Sequence, residues 1–263
     1  MTERSDLKII REPSVYVVGK QKTNEAEIDR FLAEHGVSWQ TDTEVAGEHL
    51  VETAGRVCYM SFAKPRPGGN KAYIGHILEV GHGSVLEHAV WNLLITGVSR
   101  SLTHELIRHR AGFGYSQLSQ RYVDESIAEY VEPDPIADNP AAHAIWLEAV
   151  QNCHQAYVRL TEQLNEVFKD EPDKTLRRKL ARQAARSILP NATETKIFVT
   201  ANARALRHFV ELRGNRHAET EIRKLAIAVL RLMQHEAPNL FGDYTLEPLA
   251  DGTFEASTPY RKV

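Results

Sequence analysis

The stretch Arg108-His-Arg-Ala-Gly-Phe-Gly-Tyr-Ser-Gln-Leu-Ser-Gln-Arg-Tyr122 decides how this chain is read. It opens with two guanidinium groups around an imidazole and closes on a third guanidinium at Arg121. Between them stand Tyr115, Ser116, Gln117, Ser119 and Gln120, all with hydrogen-bonding heads. Arginine gives bidentate hydrogen bonds to phosphate oxygens, and Gln and Ser can read an amide-like base edge. The run therefore suits recognition of a phosphate and a polar heterocycle. Cations closing a helix would equally complement its dipole, so composition alone leaves both readings open. Glycines in Ala111-Gly-Phe-Gly114 end a helix expected over residues 99–110, because glycine favours conformations that helices do not use. Residues 111–122 are then expected as a structured loop.

Working upstream, 89–96 reads as a buried strand and 71–80 as a short helix ending at Gly81. Pro65-Arg-Pro-Gly-Gly-Asn70 is a turn cluster. Thr41-Asp-Thr-Glu44 supplies start signals for a helix to about residue 59. Residues 24–34 look helical and Val15-Tyr-Val-Val18 strand-like. Downstream, Glu132-Pro-Asp-Pro-Ile-Ala-Asp-Asn-Pro140 is a linker whose Asn139 caps a helix with proline at its first position. Trp146, Val150, Cys153, Tyr157, Leu160, Leu164 and Val167 form the stripe of one long amphipathic helix, a core or subunit-interface face. A helix over 175–189 stops at Pro190, a strand covers 193–200, and helices follow over 201–213 and 218–236. Helices outnumber strands without regular alternation, so the class is α+β. Residues 1–44 read as an N-terminal extension, 45–245 as a single domain and 246–263 as a C-terminal tail.

The 263 residues support a sizeable core. Lys and Arg number 32 against 35 Asp and Glu, a net charge of −3, which argues against a general nucleic-acid coat. Two cysteines, Cys58 and Cys153, exclude a disulfide framework and point to a reducing cytoplasm. Met1-Thr-Glu-Arg-Ser-Asp6 has no export signal, and no apolar run approaches the ~20 residues of a membrane span.

Several chemical signals fail. There is no phosphate loop and no Gly-x-Gly-x-x-Gly after a strand. His104 and His109 stand one residue too far apart for a zincin helix, and no His or Cys set has zinc-site spacing, so no metal is expected. A second cationic group comprises Asn202-Ala-Arg204, His208, Arg213, Arg216 and His217. On a helix Arg204 and His208 share a face, and Asn202 and Arg213 nearly align in another direction, so one helix could touch two ligands. The same pattern also describes a solvated helix with Leu206, Phe209 and Leu212 packed inward. Arg186 ends a basic run that starts at Arg177, most of which reads as a solvated face.

Arg108-His-Arg110, eight intervening residues and Ser119-Gln-Arg121-Tyr122 together resemble the signature of the flavin-dependent thymidylate synthases. Three further blocks agree in order: Gly81-His-Gly-Ser-Val-Leu-Glu-His88, Arg186-Ser-Ile-Leu-Pro190, and Asn202-Ala-Arg-Ala-Leu-Arg-His-Phe-Val-Glu-Leu-Arg213 followed by His217-Ala. The resemblance implies a single domain of helices around an antiparallel-rich sheet, assembled as a homotetramer with active sites shared between subunits. It implies methylation of dUMP to dTMP for dTTP biosynthesis, with 5,10-methylenetetrahydrofolate as carbon donor, FAD as hydride carrier and NADPH as reductant. Flavin contacts would be Ser84, Arg108, His109, Arg110, Gln117, Asn202, Ala203, Arg204 and His208. Nucleotide contacts would be Glu105, Leu106, Ile107, Arg108, Gln117, Leu118, Ser119, Gln120, Arg121, Arg186 and Arg213. Arg213 matches the arginine that favours ionisation of the base, and is the catalytic candidate. Ser119 reads as a ligand hydroxyl, since no catalytic base adjoins it in the motif. Neither cysteine lies in a motif, which disfavours a thymidylate synthase working through a cysteine nucleophile. Two other readings remain beside this one: a phosphate- or RNA-binding module using the arginine clusters, and a flavin oxidoreductase that does not methylate. Arg186 and Arg213 argue against the latter, which has no need of a nucleotide phosphate site.

Overall fold

The computed structural model describes residues 7–63 and 67–261. The expectation of no export signal at residues 1–6 and the Pro65-Arg66 start of the turn cluster lie outside them. In chain order the elements are β1 (Ile9–Ile10), β2 (Ser14–Lys20), α1 (Glu25–Glu34), α2 (Ala46–Tyr59) and α3 (Gly69–Glu79). A 3-10 turn (Gly83–His88) leads into β3 (Val90–Ser99), α4 (Arg100–Leu106) and β4 (Phe113–Gln117). A second 3-10 turn (Glu125–Ile127) precedes β5 (Tyr130–Val131), α5 (Asp134–Ala137), α6 (Pro140–Val167) and α7 (Lys174–Ala185). A third (Arg186–Ile188) precedes β6 (Glu194–Asn202), α8 (Ala203–Arg213), α9 (Thr220–Glu236), α10 (Pro238–Phe241), β7 (Thr245–Pro248) and β8 (Phe254–Ser257).

The main sheet has the order β2-β3-β6-β4, and helices dominate around it, which is the expected α+β class with an antiparallel sheet. β1 pairs in parallel with β5, and β7 with β8 as an antiparallel hairpin. The chain forms two compact units. Of the described residues, one holds 7–13, 95–107 and 116–197; the other holds 14–63, 67–94, 108–115 and 198–261.

Local chemistry corrects several expected boundaries. Residues 113–117 are a strand rather than loop, with Phe113, Tyr115 and Gln117 half-buried and Gly114 and Ser116 exposed. The alternation is real, but the small and polar members hide it in a hydropathy reading. α4 ends at Leu106, so Arg108-His-Arg110 lie beyond the helix rather than in its last turn. α2 starts at Ala46 because Thr43 works in the turn ahead of it: its Oγ1 accepts the Val45 N–H at 3.2 Å and donates to Glu48 at 2.7 Å. α7 stops at Ala185, and Arg186 opens a 3-10 turn instead of continuing to residue 189.

In the first unit, Asn139 caps α6 by accepting the N–H groups of Ala141 and Ala142, both at 3.1 Å. The α6 stripe is buried at Val150 and Tyr157, whereas Val167 at its end is 61% exposed. It is core in its middle and open apolar surface at its C-terminal end. In the second unit, β2 lies beside β3, and Leu32 of α1 packs with Trp39 and Phe62. The hairpin β7–β8 is tied down by the Ala256 N–H on the Gly214 carbonyl at 2.8 Å.

α8 is anchored from within by Arg207, which is 2% exposed. Its Nη1 donates to the Leu240 carbonyl at 2.7 Å and to Asp243 Oδ1 at 2.6 Å, while Nη2 donates to Asp243 Oδ2 at 2.8 Å. The Tyr244 ring lies 4.8 Å from the guanidinium, and its hydroxyl donates to the Arg207 carbonyl at 3.0 Å. Burial opposes the charge, yet hydrogen bonding and charge from Asp243 raise the Arg207 pKa. Removing Asp243 leaves a buried unpaired cation, a situation that costs about 3–5 kcal/mol. Asp243→Ala is therefore expected to lower stability by that amount in chemical unfolding, and a loss under ~1 kcal/mol would show that Arg207 finds another partner.

Candidate active site

In the second unit, residues 108–115 run along α8. The turn depends on Gly112, whose φ is +73°. A Cβ there would stand 2.7 Å from Asn202 Nδ2 and 2.8 Å from Ala205 Cβ, so only glycine fits. The Gly112 carbonyl accepts the Asn202 N–H at 3.2 Å. Asn202 is the N-cap of α8, its Oδ1 accepting from the Ala205 N–H at 2.8 Å. Ala203 donates its N–H to the Ala89 carbonyl at 2.8 Å, which brings the 3-10 turn bearing Ser84 against the start of α8.

His109 is the buried member of Arg108-His-Arg110, at 9% exposure. Its ring packs against Phe113, His208 and Phe209 at 6.0, 6.1 and 5.3 Å between centroids. The Tyr115 hydroxyl donates to its carbonyl at 2.8 Å. Burial pushes the Tyr115 pKa upward despite nearby Arg110, so Tyr115 remains a neutral donor. Arg213, from the C-terminal end of α8, donates Nε–H to His109 Nε2 at 3.1 Å. Arg108, Arg110, Arg204, His208 and Ser84 reach solvent. Arg204 pairs with Glu87 at 2.6 Å. Leu206 and Phe209 pack inward, but Leu212 is half exposed, so the simple amphipathic reading of α8 holds only in part.

The first unit carries the other candidates. Gln117 Nε2 donates to Thr103 Oγ1 at 3.2 Å and to Thr195 Oγ1 at 3.3 Å. Leu118 is held at both ends of its peptide: its N–H reaches the Lys196 carbonyl at 2.9 Å, and its own carbonyl accepts from Arg100 Nη2 at 2.8 Å. Ser119 Oγ accepts the Arg121 N–H at 3.3 Å, and Gln120 is buried. Arg121 lies 5.7 Å over the Tyr122 ring. Leu106 is buried, Ile107 is exposed past the end of α4, Glu105 is half-buried, and Arg186 is exposed on its 3-10 turn.

Residues 41–239 match the family described as Thymidylate synthase complementing protein. Proteins named Flavin-dependent thymidylate synthase from Mycobacteroides abscessus and Mycolicibacterium gilvum are each 52% identical over 231 residues, covering 87% of this chain and 92% of the relative. The corresponding protein of Mycobacterium tuberculosis is 51% identical over the same shares. The chain belongs to the flavin-dependent thymidylate synthase family.

Among the described residues, no three His, Cys, Asp or Glu side chains gather as a metal site, and no helix is long and apolar enough to cross a membrane. Motif spacing does not show which residues support the candidates. Arg100, Thr103 and Thr195 hold residues 117–118, Glu87 holds Arg204, and Phe113 and Phe209 box His109. Glu87 lies inside a quoted family block, so a search for partners of Arg204 could have found it. Arg100, beside Ser99 at a helix start, gives no signal in spacing. In this thymidylate synthase family member Gly112→Ala should lower the thermal midpoint, with a stability loss of about 1–3 kcal/mol from the left-handed φ and the crowding. Gly114→Ala, where the nearest atom is Thr200 Cβ at 3.7 Å, should stay within ~0.5 kcal/mol of the parent. Equal losses at the two glycines would remove the special role of Gly112.

Proposed function

We propose that this chain methylates dUMP to dTMP, with 5,10-methylenetetrahydrofolate as the carbon donor, FAD as the flavin and NADPH as the reductant, in cytoplasmic dTTP synthesis. The observation that carries the reading is the Arg213–His109 hydrogen bond, which joins family blocks 104 residues apart. The donor chemistry fits an anionic dinucleotide: Arg108, Arg110 and Arg204 present exposed guanidinium groups, and Gly112 leaves no side chain over Asn202. In the second unit Ser84, Arg108, His109, Arg110, Asn202, Ala203, Arg204 and His208 are assigned to the flavin. In the first unit Glu105, Leu106, Ile107, Gln117, Leu118, Ser119, Gln120, Arg121 and Arg186 are assigned to the nucleotide, Gln117 also to the flavin. Arg108 and Arg213 are assigned to the nucleotide from the second unit.

A bound flavin supplies hydride chemistry, and a methylene carbon that gains a hydride becomes a methyl group. Carbon 5 of uracil is a poor nucleophile. A guanidinium at the N3/O4 edge stabilises negative charge there and moves electron density toward carbon 5. Arg213 suits this role because arginine stays charged. Ser119, engaged by the Arg121 N–H, serves as a ligand hydroxyl. Exposed apolar residues of the first unit, Ile127 at 83% and Ile145 at 71%, support burial between copies in a homotetramer.

Arg213→Ala should reduce thymidylate formation by about 10²–10³, by analogy with loss of one oxyanion donor. Flavin content and NADPH oxidation should persist, since neither needs an ionised uracil. Both reactions are to be measured on one preparation. Near-parental thymidylate formation would remove Arg213 from catalysis, and joint loss of flavin and both reactions would make it structural.

A further inference from the structure

We infer that His109 is a positioning residue for Arg213, setting the plane of the guanidinium that meets the base. The inference rests on the thymidylate synthase reading and goes beyond the flavin contact assigned to His109. Its geometry is specific. Arg213 Nε carries a single N–H and can only donate, so His109 Nε2 must offer a lone pair at 3.1 Å. The imidazole is then neutral with its proton on Nδ1. Four of the five guanidinium N–H bonds lie on the two Nη atoms. A bond through Nε fixes rotation of the planar group about the end of the side chain, and thereby aims the Nη edge.

The imidazole can do this because it is itself held. Phe209 meets it edge-on at 5.3 Å and 82°, one helical turn before Arg213 on the same face of α8. Phe113 stands at 6.0 Å and His208 at 6.1 Å. Phe113 is in turn stacked on Tyr115 at 5.6 Å and 6°, and Tyr115 pins the His109 carbonyl at 2.8 Å. Backbone and ring of His109 are thus fixed independently of Arg213, which is what an orienting partner requires. An exposed histidine in a mobile loop would follow the arginine rather than direct it.

The test is a double-mutant cycle on flavin-loaded full-length protein, with thymidylate formation expressed per bound flavin. Glutamine retains an acceptor near the Nε2 position, whereas methionine has similar length without a strong one. Both variants lose the imidazole and any flavin contact it makes, so the comparison is between them: per bound flavin, His109→Met should be about tenfold or more slower than His109→Gln, within the range of coupling between contacting residues. In the Arg213→Ala background the two substitutions should become indistinguishable. Equal losses from His109→Met in both backgrounds would overturn the inference. Should His109→Met fail to fold or load flavin, nitrogen-15 spectra of histidine-labelled parental protein decide, with His109 assigned by its absence from His109→Gln. The Nδ1–H tautomer supports the inference. The Nε2–H tautomer, which free histidine favours, or an imidazolium overturns it. A parental protein that makes no thymidylate would instead overturn the functional reading, and the tautomer would still report the contact.

Discussion

The second unit is organised by the way residues 109–115 lie along α8. At one end the Gly112 backbone meets the Asn202 cap, and at the other the His109 ring meets Phe209 and Arg213. Each contact constrains the other. Gly112 takes a left-handed φ with no room for a side chain where its carbonyl meets the Asn202 N–H, while His109 is buried and Arg108 and Arg110 are exposed.

That arrangement needs α8 to be immovable, and charge supplies the anchor. Arg207 is buried where Arg204 and His208 of the same helix are exposed, and its bidentate pairing with Asp243 is almost fully buried. A buried ion pair is a weak source of net stability, but losing one partner is severe. The pair consequently penalises shifts of α8 more than it stabilises the unfolded-to-folded transition. In the first unit the corresponding task falls to neutral and half-buried groups. Gln117 is held by two threonine hydroxyls, and Leu118 by its backbone together with Arg100. Burial lowers the Arg100 pKa, and the nearby Glu125 acts against that shift.

Sequence reading recovered the long elements because their periodicity is strong, as in α6 with its Asn139-Pro140 start and α9 before Pro238. It also recovered the α+β class and the family. It lost β4 because Gly114 and Ser116 occupy the exposed positions and Gln117 an inward one, so polarity masks a two-residue repeat. It missed α10 and the β7–β8 hairpin, whose short elements carry little periodic signal. Among the candidate site residues, the cationic and polar head groups are visible as motif members. Most of their supports are not: Thr103 and Thr195 act through three-dimensional proximity, and Arg100 looks like any cation near a helix start, whereas Phe209 is legible as an inward-packing residue of α8 but not as a neighbour of His109. Arg204 and His208 share an exposed face as one helical turn dictates, whereas the bond between His109 and Arg213 is set by a turn conformation that residue spacing does not encode.

The central claim is that these residues support flavin-dependent synthesis of thymidylate. The most direct measurement supplies purified full-length protein with dUMP, 5,10-methylenetetrahydrofolate and NADPH, with and without added FAD after flavin removal, and follows dTMP and NADPH together. The account predicts dTMP formation that requires restored FAD and consumes NADPH in equal amount. Formation of dTMP at the same rate without flavin or NADPH, or NADPH consumption without any dTMP, would contradict it.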